Sequence, residues 1–208
     1  LRFVPDGLKY LAEFTTLVSR FLSGKGNRAG ALLFSGGVER MIPARGGRQQ
    51  FLTLLDALSR YRNPKGAKGT DLKRVLSDVA RMIRRRSLVF IVSDFISAPG
   101  WEKPLSQLAN RHDVIAVRLT DPLEIRLPDL GLLTFQDAEN GDQLFVDTHD
   151  KGFRARFAAA AQAREDELMT AFQAAGVDAL ELSTEDDVAD AVLRFADMRR
   201  LRFAKKTA

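Results

Sequence analysis

Hydrophobic positions along the chain alternate between two periods. Leu8, Leu11, Phe14, Thr15, Val18, Phe21 and Leu22 recur at three and four, which predicts an amphipathic helix from near Pro5-Asp6 to Gly24. Arg28 to Phe34 then reads as a strand. Ser35-Gly36-Gly37 turns it, and Val38 to Ile42 returns as an antiparallel partner closed by Pro43. Gln49 to Leu58 is predicted helical. Tyr61 to Gly69 is a polar loop, and Thr70 is the expected N-cap of a helix from Asp71 to Arg85 with Leu72, Val75, Leu76, Val79, Met82 and Ile83 as its apolar stripe.

The run Ser87-Leu-Val-Phe-Ile-Val-Ser93 is nearly free of polarity and stops at Asp94, before Ala98-Pro99-Gly100. A short apolar run of this kind predicts a strand buried on both faces, as in a parallel sheet. Asp94 is then expected at the carboxyl end of a central strand, where open α/β sheets bind ligands. The plainer role for such an aspartate is to cap a turn or accept backbone hydrogen bonds. Trp101 to Arg111 is predicted as a helix and Asp113 to Leu119 as a second buried strand. Strand, helix, strand in this order implies right-handed crossovers and parallel pairing.

Residues 121–150 break the rhythm. Asp121-Pro122 and Leu127-Pro128-Asp129 mark turns, and Glu139-Asn140-Gly141-Asp142 between two apolar alternations predicts a β-hairpin insertion. Lys151 to Ala175 is a long helix stopped by Gly176. Val177 to Leu182 is the last buried strand. Ser183 or Thr184 is expected to cap a helix from Glu185 to Met198, and the basic tail 199–208 is expected to be frayed or held by a partner. The expected architecture is a single α/β domain over 1–208: three layers, doubly wound, a mostly parallel sheet with an antiparallel edge strand and the hairpin insertion.

Composition narrows the function classes. The chain has 208 residues, 45% hydrophobic and without cysteine, so disulfides, thiolate metal sites and cysteine nucleophiles are excluded. No apolar run is long enough to cross a bilayer. Net charge is +5 with pI about 9.7, concentrated at Lys65/Lys68, Arg84–Arg86 and the tail from Arg199. Polyanion binding needs such charge gathered on one face. No aromatic interleaving or reader motif accompanies it, so nucleic acid is disfavoured.

His112 and His149 are isolated and are expected at the surface or in turns. Gly24-Lys25 lacks the spacing and the hydroxyl of a phosphate loop, and no nucleophile elbow or dinucleotide fingerprint is present. The oxygen pair left is Thr70 and Asp94, at the same predicted edge of the sheet. Both are hard ligands suited to Mg²⁺ or Mn²⁺.

Gly69-Thr70-Asp71-Leu72, Arg85-Arg86-Ser87-Leu88 and Ser93-Asp94-Phe95 resemble the von Willebrand factor A-like domain of the bacterial domain-of-unknown-function family fifty-eight. Asp121-Pro122-Leu123-Glu124, Leu127-Pro128-Asp129-Leu130-Gly131, Asp137-Ala138-Glu139-Asn140-Gly141 and the final Arg199-Arg200 carry the likeness through nearly the whole chain. The resemblance implies a metal-ion-dependent adhesion site built from an Asp-x-Ser-x-Ser loop, a threonine and an aspartate. Thr70 and Asp94 match the second and third elements. The first is absent here, and its strand, expected between Arg28–Phe34 and Ser87–Ser93, is expected upstream of Leu1. The resemblance further implies a non-enzymatic, cytoplasmic adaptor domain. It would work with a MoxR-type AAA+ ATPase, a client protein, or both, through a bridging metal. The alternatives are a metal-dependent α/β hydrolase or phosphotransferase using Asp94, and a basic nucleic-acid module.

Overall fold

The computed structural model describes residues 7–23, 26–34, 38–61, 70–136 and 143–206. In chain order the elements are α1 (Gly7–Ser23), β1 (Arg28–Phe34), β2 (Val38–Gly46), α2 (Arg48–Ser59), α3 (Leu72–Met82), β3 (Leu88–Ser93), α4 (Glu102–Ala109), β4 (Asp113–Thr120), α5 (Pro122–Ile125), β5 (Leu132–Gln136), β6 (Gln143–Asp147), α6 (Lys151–Ala175), β7 (Asp178–Ser183) and α7 (Val188–Lys206). The turns predicted at Ser35-Gly36-Gly37 and Glu139-Asn140-Gly141-Asp142, and the lysines Lys65 and Lys68, lie outside the described residues.

The chain is a mixed α/β protein. Three strands form a parallel sheet in the order β3-β4-β7, with Leu88 opposite Asp113 and Ile115 opposite Asp178. Helices cover both faces. On one face Leu72, Val75 and Leu76 of α3, Leu105 and Leu108 of α4, and Leu168 and Phe172 of α6 close over Ile91, Val114 and Ala116. On the other, Phe14 of α1 and Val188 and Ala191 of α7 close over Ile115, Val117, Leu180 and Leu182. The period-two alternation along β4 therefore feeds two separate cores.

The sequence expectation placed Ser87–Ser93 in the middle of the sheet. Among the described residues β3 is instead an edge strand, hydrogen-bonded to β4 alone, and β4 is the central one, with Val114 to Val117 fully buried. An apolar run reports burial, not the number of neighbours. The predicted antiparallel hairpin is present. β1 and β2 pair with each other as a separate two-stranded sheet. Leu32 and Phe34 of β1 nevertheless pack on the same core cluster as Val89 of β3. β1 and β3 thus border one core without sharing a hydrogen-bonded ladder.

Local expectations shift in physically clear ways. β2 runs past Pro43 to Gly46, because a register shift opposite Gly30 absorbs the proline. A Cβ at Gly30 would lie 2.7 Å from the Ile42 carbonyl oxygen, so this bulge requires glycine. Gln50 fills it, donating to the carbonyls of Ala29 and Pro43 at 2.9 Å each. Asp71, not Thr70, caps α3, accepting from the Arg74 amide at 3.0 Å. Asp187 rather than Ser183 or Thr184 caps α7, accepting from the amides of Ala189 and Asp190. Asp121-Pro122 begins the short helix α5 rather than a bare turn. α6 ends as predicted, at Gly176 in the left-handed conformation with φ 67°.

Through Lys206 the tail is helical rather than frayed. Arg199 pins α7 by bridging Asp113 and Asp178, the latter at 2.8 Å. The hairpin β5–β6 forms its own small sheet, whose inner face (Leu133, Val146) packs with Leu127, Phe153 and Phe157 under the first half of α6.

His112 is buried at 4% exposure, against the expectation of a surface position. Its amide donates to the Leu108 carbonyl at 2.9 Å, which draws the residue under the end of α4. Neither ring nitrogen has a well-formed hydrogen bond. Burial and then the Arg111 charge push its pKa below the usual 6.5, with the Ile83 backbone opposing weakly. Well above pH 6.5 the ring is neutral in both folded and unfolded chains. As pH falls below that, the unfolded chain takes up a proton that the folded chain refuses, so stability drops until the lowered folded value is passed. Urea midpoints measured from neutral to mildly acid pH will fall more steeply in the native protein than in His112→Leu.

Candidate functional site

The site is the turn that leaves β3. Ser93 ends the strand, and its hydroxyl accepts the Phe95 amide at 3.1 Å. Asp94 Oδ1 accepts the Ile96 amide at 3.1 Å and lies 3.4 Å from the Ser93 hydroxyl. Asp94 thus does what a turn aspartate ordinarily does, with one carboxylate oxygen. Between them Phe95 is held at φ 57°, the one described non-glycine residue with positive φ. A bulky side chain pays about 1–2 kcal/mol for that conformation. Packing compensates, since the buried Phe95 ring lies edge-on to Phe172 at 4.9 Å and near Trp101 at 5.9 Å. Aromatic packing below therefore fixes where the Asp94 carboxylate stands above.

The same turn is tied to the start of α3. The Ser97 hydroxyl donates to the Thr70 carbonyl at 2.8 Å and accepts the Leu72 amide at 3.2 Å. Two segments 27 residues apart in sequence meet at one hydroxyl. Thr70 and Asp94 are both half-buried. The sequence named these two residues, but it did not single out Ser97, whose place between them depends on the turn geometry set by Phe95.

The turn offers one carboxylate, with the Ser93 and Ser97 hydroxyls engaged by backbone groups beside it, a hard-oxygen chemistry suited in kind to a divalent ion. These groups do not fill its coordination. Among the described residues no group of three or more histidine, cysteine, aspartate or glutamate side chains converges anywhere. A six-coordinate ion at Asp94 would complete its sphere with water or with oxygens from elsewhere.

A second polar cluster lies under the carboxyl ends of β4 and β7. Arg118, 9% exposed, pairs with Glu165 of α6 and lies 3.5 Å from Glu181, its cross-strand partner. Burial and the neighbouring Glu165 carboxylate raise the Glu181 pKa, and Arg118 partly offsets them. A cleft of about 330 Å³ opens above, lined by Thr120, Arg126, Glu181 and Ser183 among others. Its groups include no histidine and no activated hydroxyl, and the cluster reads as structural. Arg118→Ala strands two crowded carboxylates and is expected to cost about 2–4 kcal/mol in urea unfolding, below the value for a fully buried pair because both glutamates keep solvent contact. His149, by contrast, is exposed as expected and contacts Asp129.

Comparison with known proteins gives a family but no activity. Residues 8–167 match the family described as protein of unknown function DUF58. Uncharacterized proteins of Mycobacterium tuberculosis and Mycobacterium bovis are each 36% identical over 179 residues, covering 86% of this chain and 56% of theirs. The chain thus spans little more than half the length of those relatives. An uncharacterized Mycobacterium avium protein is 36% identical over 160 residues, 76% of this chain and 94% of its own. Among solved structures, an aerotolerance-related membrane protein of Bacteroides fragilis superposes with TM-score 0.56 at 11% identity, over 91% of this chain and 86% of that one. The conserved hypothetical protein BatB of Bacteroides thetaiotaomicron gives TM-score 0.53 at 12% identity, over 92% and 88%. At such identities the likeness is one of fold alone.

Proposed function

The chain belongs to the DUF58 family, and from that premise we propose that it is a non-enzymatic binding domain of the von Willebrand factor A type, whose partner completes a metal ion held at Asp94 and Thr70. One observation carries the reading: Ser97 joins the Asp94 turn to the Thr70 segment at the carboxyl end of a parallel strand. The Asp94 turn and the backbone of the Thr70 segment are thereby held side by side, which is the arrangement two hard oxygen ligands of one cation would need. A further strand beside β3 would fit this reading, because β1 and β3 border one core and β3 has one hydrogen-bonded neighbour among the described residues. A strand there would bring its own oxygens to the same edge. The partner we propose is a MoxR-type AAA+ ATPase or its client in the cytoplasm, on the strength of the family resemblance.

Capture tests this on the natural protein at full length, with the purified MoxR-type ATPase of the same organism as probe. Binding is expected with Mg²⁺, to be lost on chelation and in Asp94→Ala. Binding that survives both treatments contradicts the metal bridge.

A further inference from the structure

We infer that the amino-terminal end of the parallel sheet, opposite the Asp94 turn, is a docking surface for an anionic membrane leaflet. The fold brings together there two basic clusters that lie far apart in sequence. Arg84, Arg85 and Arg86 follow α3 and lead into β3, and all three are exposed. The Asp113 amide donates to the Ser87 carbonyl at 2.9 Å, which sets exposed Arg111 and the start of β4 beside them. Arg199 then fastens α7 to Asp113 and Asp178, the first residues of β4 and β7, and so delivers exposed Arg200 and Arg202 to the same end.

The carboxylates of this end are largely committed. Asp113 and Asp178 are paired with Arg199, Asp178 also with Arg202, and Asp78 with Arg74 and Arg81. Asp197 is the exposed acid nearest on α7. The opposite end carries Asp94, Glu102, Glu124, Glu185, Asp186 and Asp187 against Lys73, Lys103 and Arg126, so its balance is acidic where this end is basic.

Apolar side chains decide between the two polyanions that such charge attracts. Met82, Leu88, Met198 and Leu201 stand 37%, 43%, 60% and 64% exposed among the arginines. Against a phosphate backbone they would gain nothing. At a bilayer surface they bury in the boundary between headgroups and acyl chains while the guanidinium groups meet lipid phosphates. Association would be peripheral, since no described helix is long and apolar enough to cross a membrane.

Co-sedimentation of the chain with phosphatidylcholine vesicles, with and without phosphatidylglycerol, tests the assignment. Each arginine near an anionic leaflet multiplies the partition about fivefold. Binding to the phosphatidylglycerol vesicles is therefore expected to fall about a hundredfold in Arg84→Ala/Arg85→Ala/Arg86→Ala, and again in Met198→Ser/Leu201→Ser. It should fall with salt and need no divalent ion, which separates it from the Asp94 site. Lys73→Ala/Lys103→Ala/Arg126→Ala removes equal charge from the carboxyl end of the sheet and should leave binding unchanged. Should circular dichroism show the first triple unfolded, Arg111→Ala/Arg200→Ala, which breaks none of the ion pairs at this end, carries the test with an expected fall of about twenty-five-fold. Refusal of anionic vesicles, equal loss in the control triple, or preference for generic duplex DNA overturns the inference.

Discussion

Phe172→Ala is expected to lower the unfolding free energy by about 3–5 kcal/mol, and with it the melting temperature by roughly 6–20 °C for a chain of this size. Phe172 is 1% exposed and sits where α6, the β3 turn and the start of α4 converge. Its ring meets Phe95 edge-on at 4.9 Å and lies 6.0 Å from Trp101. Truncation removes a buried aromatic and leaves a cavity that three elements border. It also removes the support that holds Phe95 at φ 57°. Hydrogen exchange at the amides of Phe95 and Ile96 should therefore accelerate more than exchange in β7. A loss under about 1 kcal/mol would mean that the site collapses freely, contrary to close packing.

The second large effect concerns binding rather than folding. Asp94→Ala deletes the one carboxylate of the candidate site and, with it, the acceptor of the Ile96 amide. The lost hydrogen bond costs only about 1 kcal/mol, so the variant is expected to fold. Removing a residue that merely supports a metal ligand weakens metal binding about 10–100-fold, and loss of the anionic ligand itself is expected to exceed the upper figure. Thr70→Val deletes a neutral oxygen and should weaken the ion less. Urea unfolding beside metal titration separates the two effects, because Phe172→Ala moves the first strongly and Asp94→Ala moves the second.

Periodicity exposed most of the fold. The stripe Leu72, Val75, Leu76 and Val79 became the buried face of α3, and Gly176 ended α6 where a left-handed residue was needed. Asn140-Gly141 foretold strands now seen as β5 and β6 on either side of residues outside the description. What stayed hidden depends on contacts distant in sequence. Leu-Val-Phe-Ile-Val reads alike at the edge of a sheet and at its centre. His112 looked like a turn residue because its burial also involves the Ile83 backbone, far away in sequence, which no local pattern reveals. The capping aspartate Asp71 stood one residue beyond the expected Thr70, and Asp187 three or four beyond the expected Thr184 or Ser183, within the usual slip of a boundary read from sequence. Of the site, Thr70 and Asp94 were legible as hard oxygens near strand and helix ends. Their link through Ser97 was not, because it needs the φ of Phe95, which packing against Phe172 and Trp101 sets.

Whether a divalent ion binds at Asp94 is the point on which the functional reading turns, and Mn²⁺ is its most direct reporter. Paramagnetic titration of the natural full-length protein with Mn²⁺ is expected to show a bound ion that Mg²⁺ displaces and that Asp94→Ala loses while keeping its fold. Binding of equal strength in native protein and folded Asp94→Ala, or no bound ion in either, would contradict it.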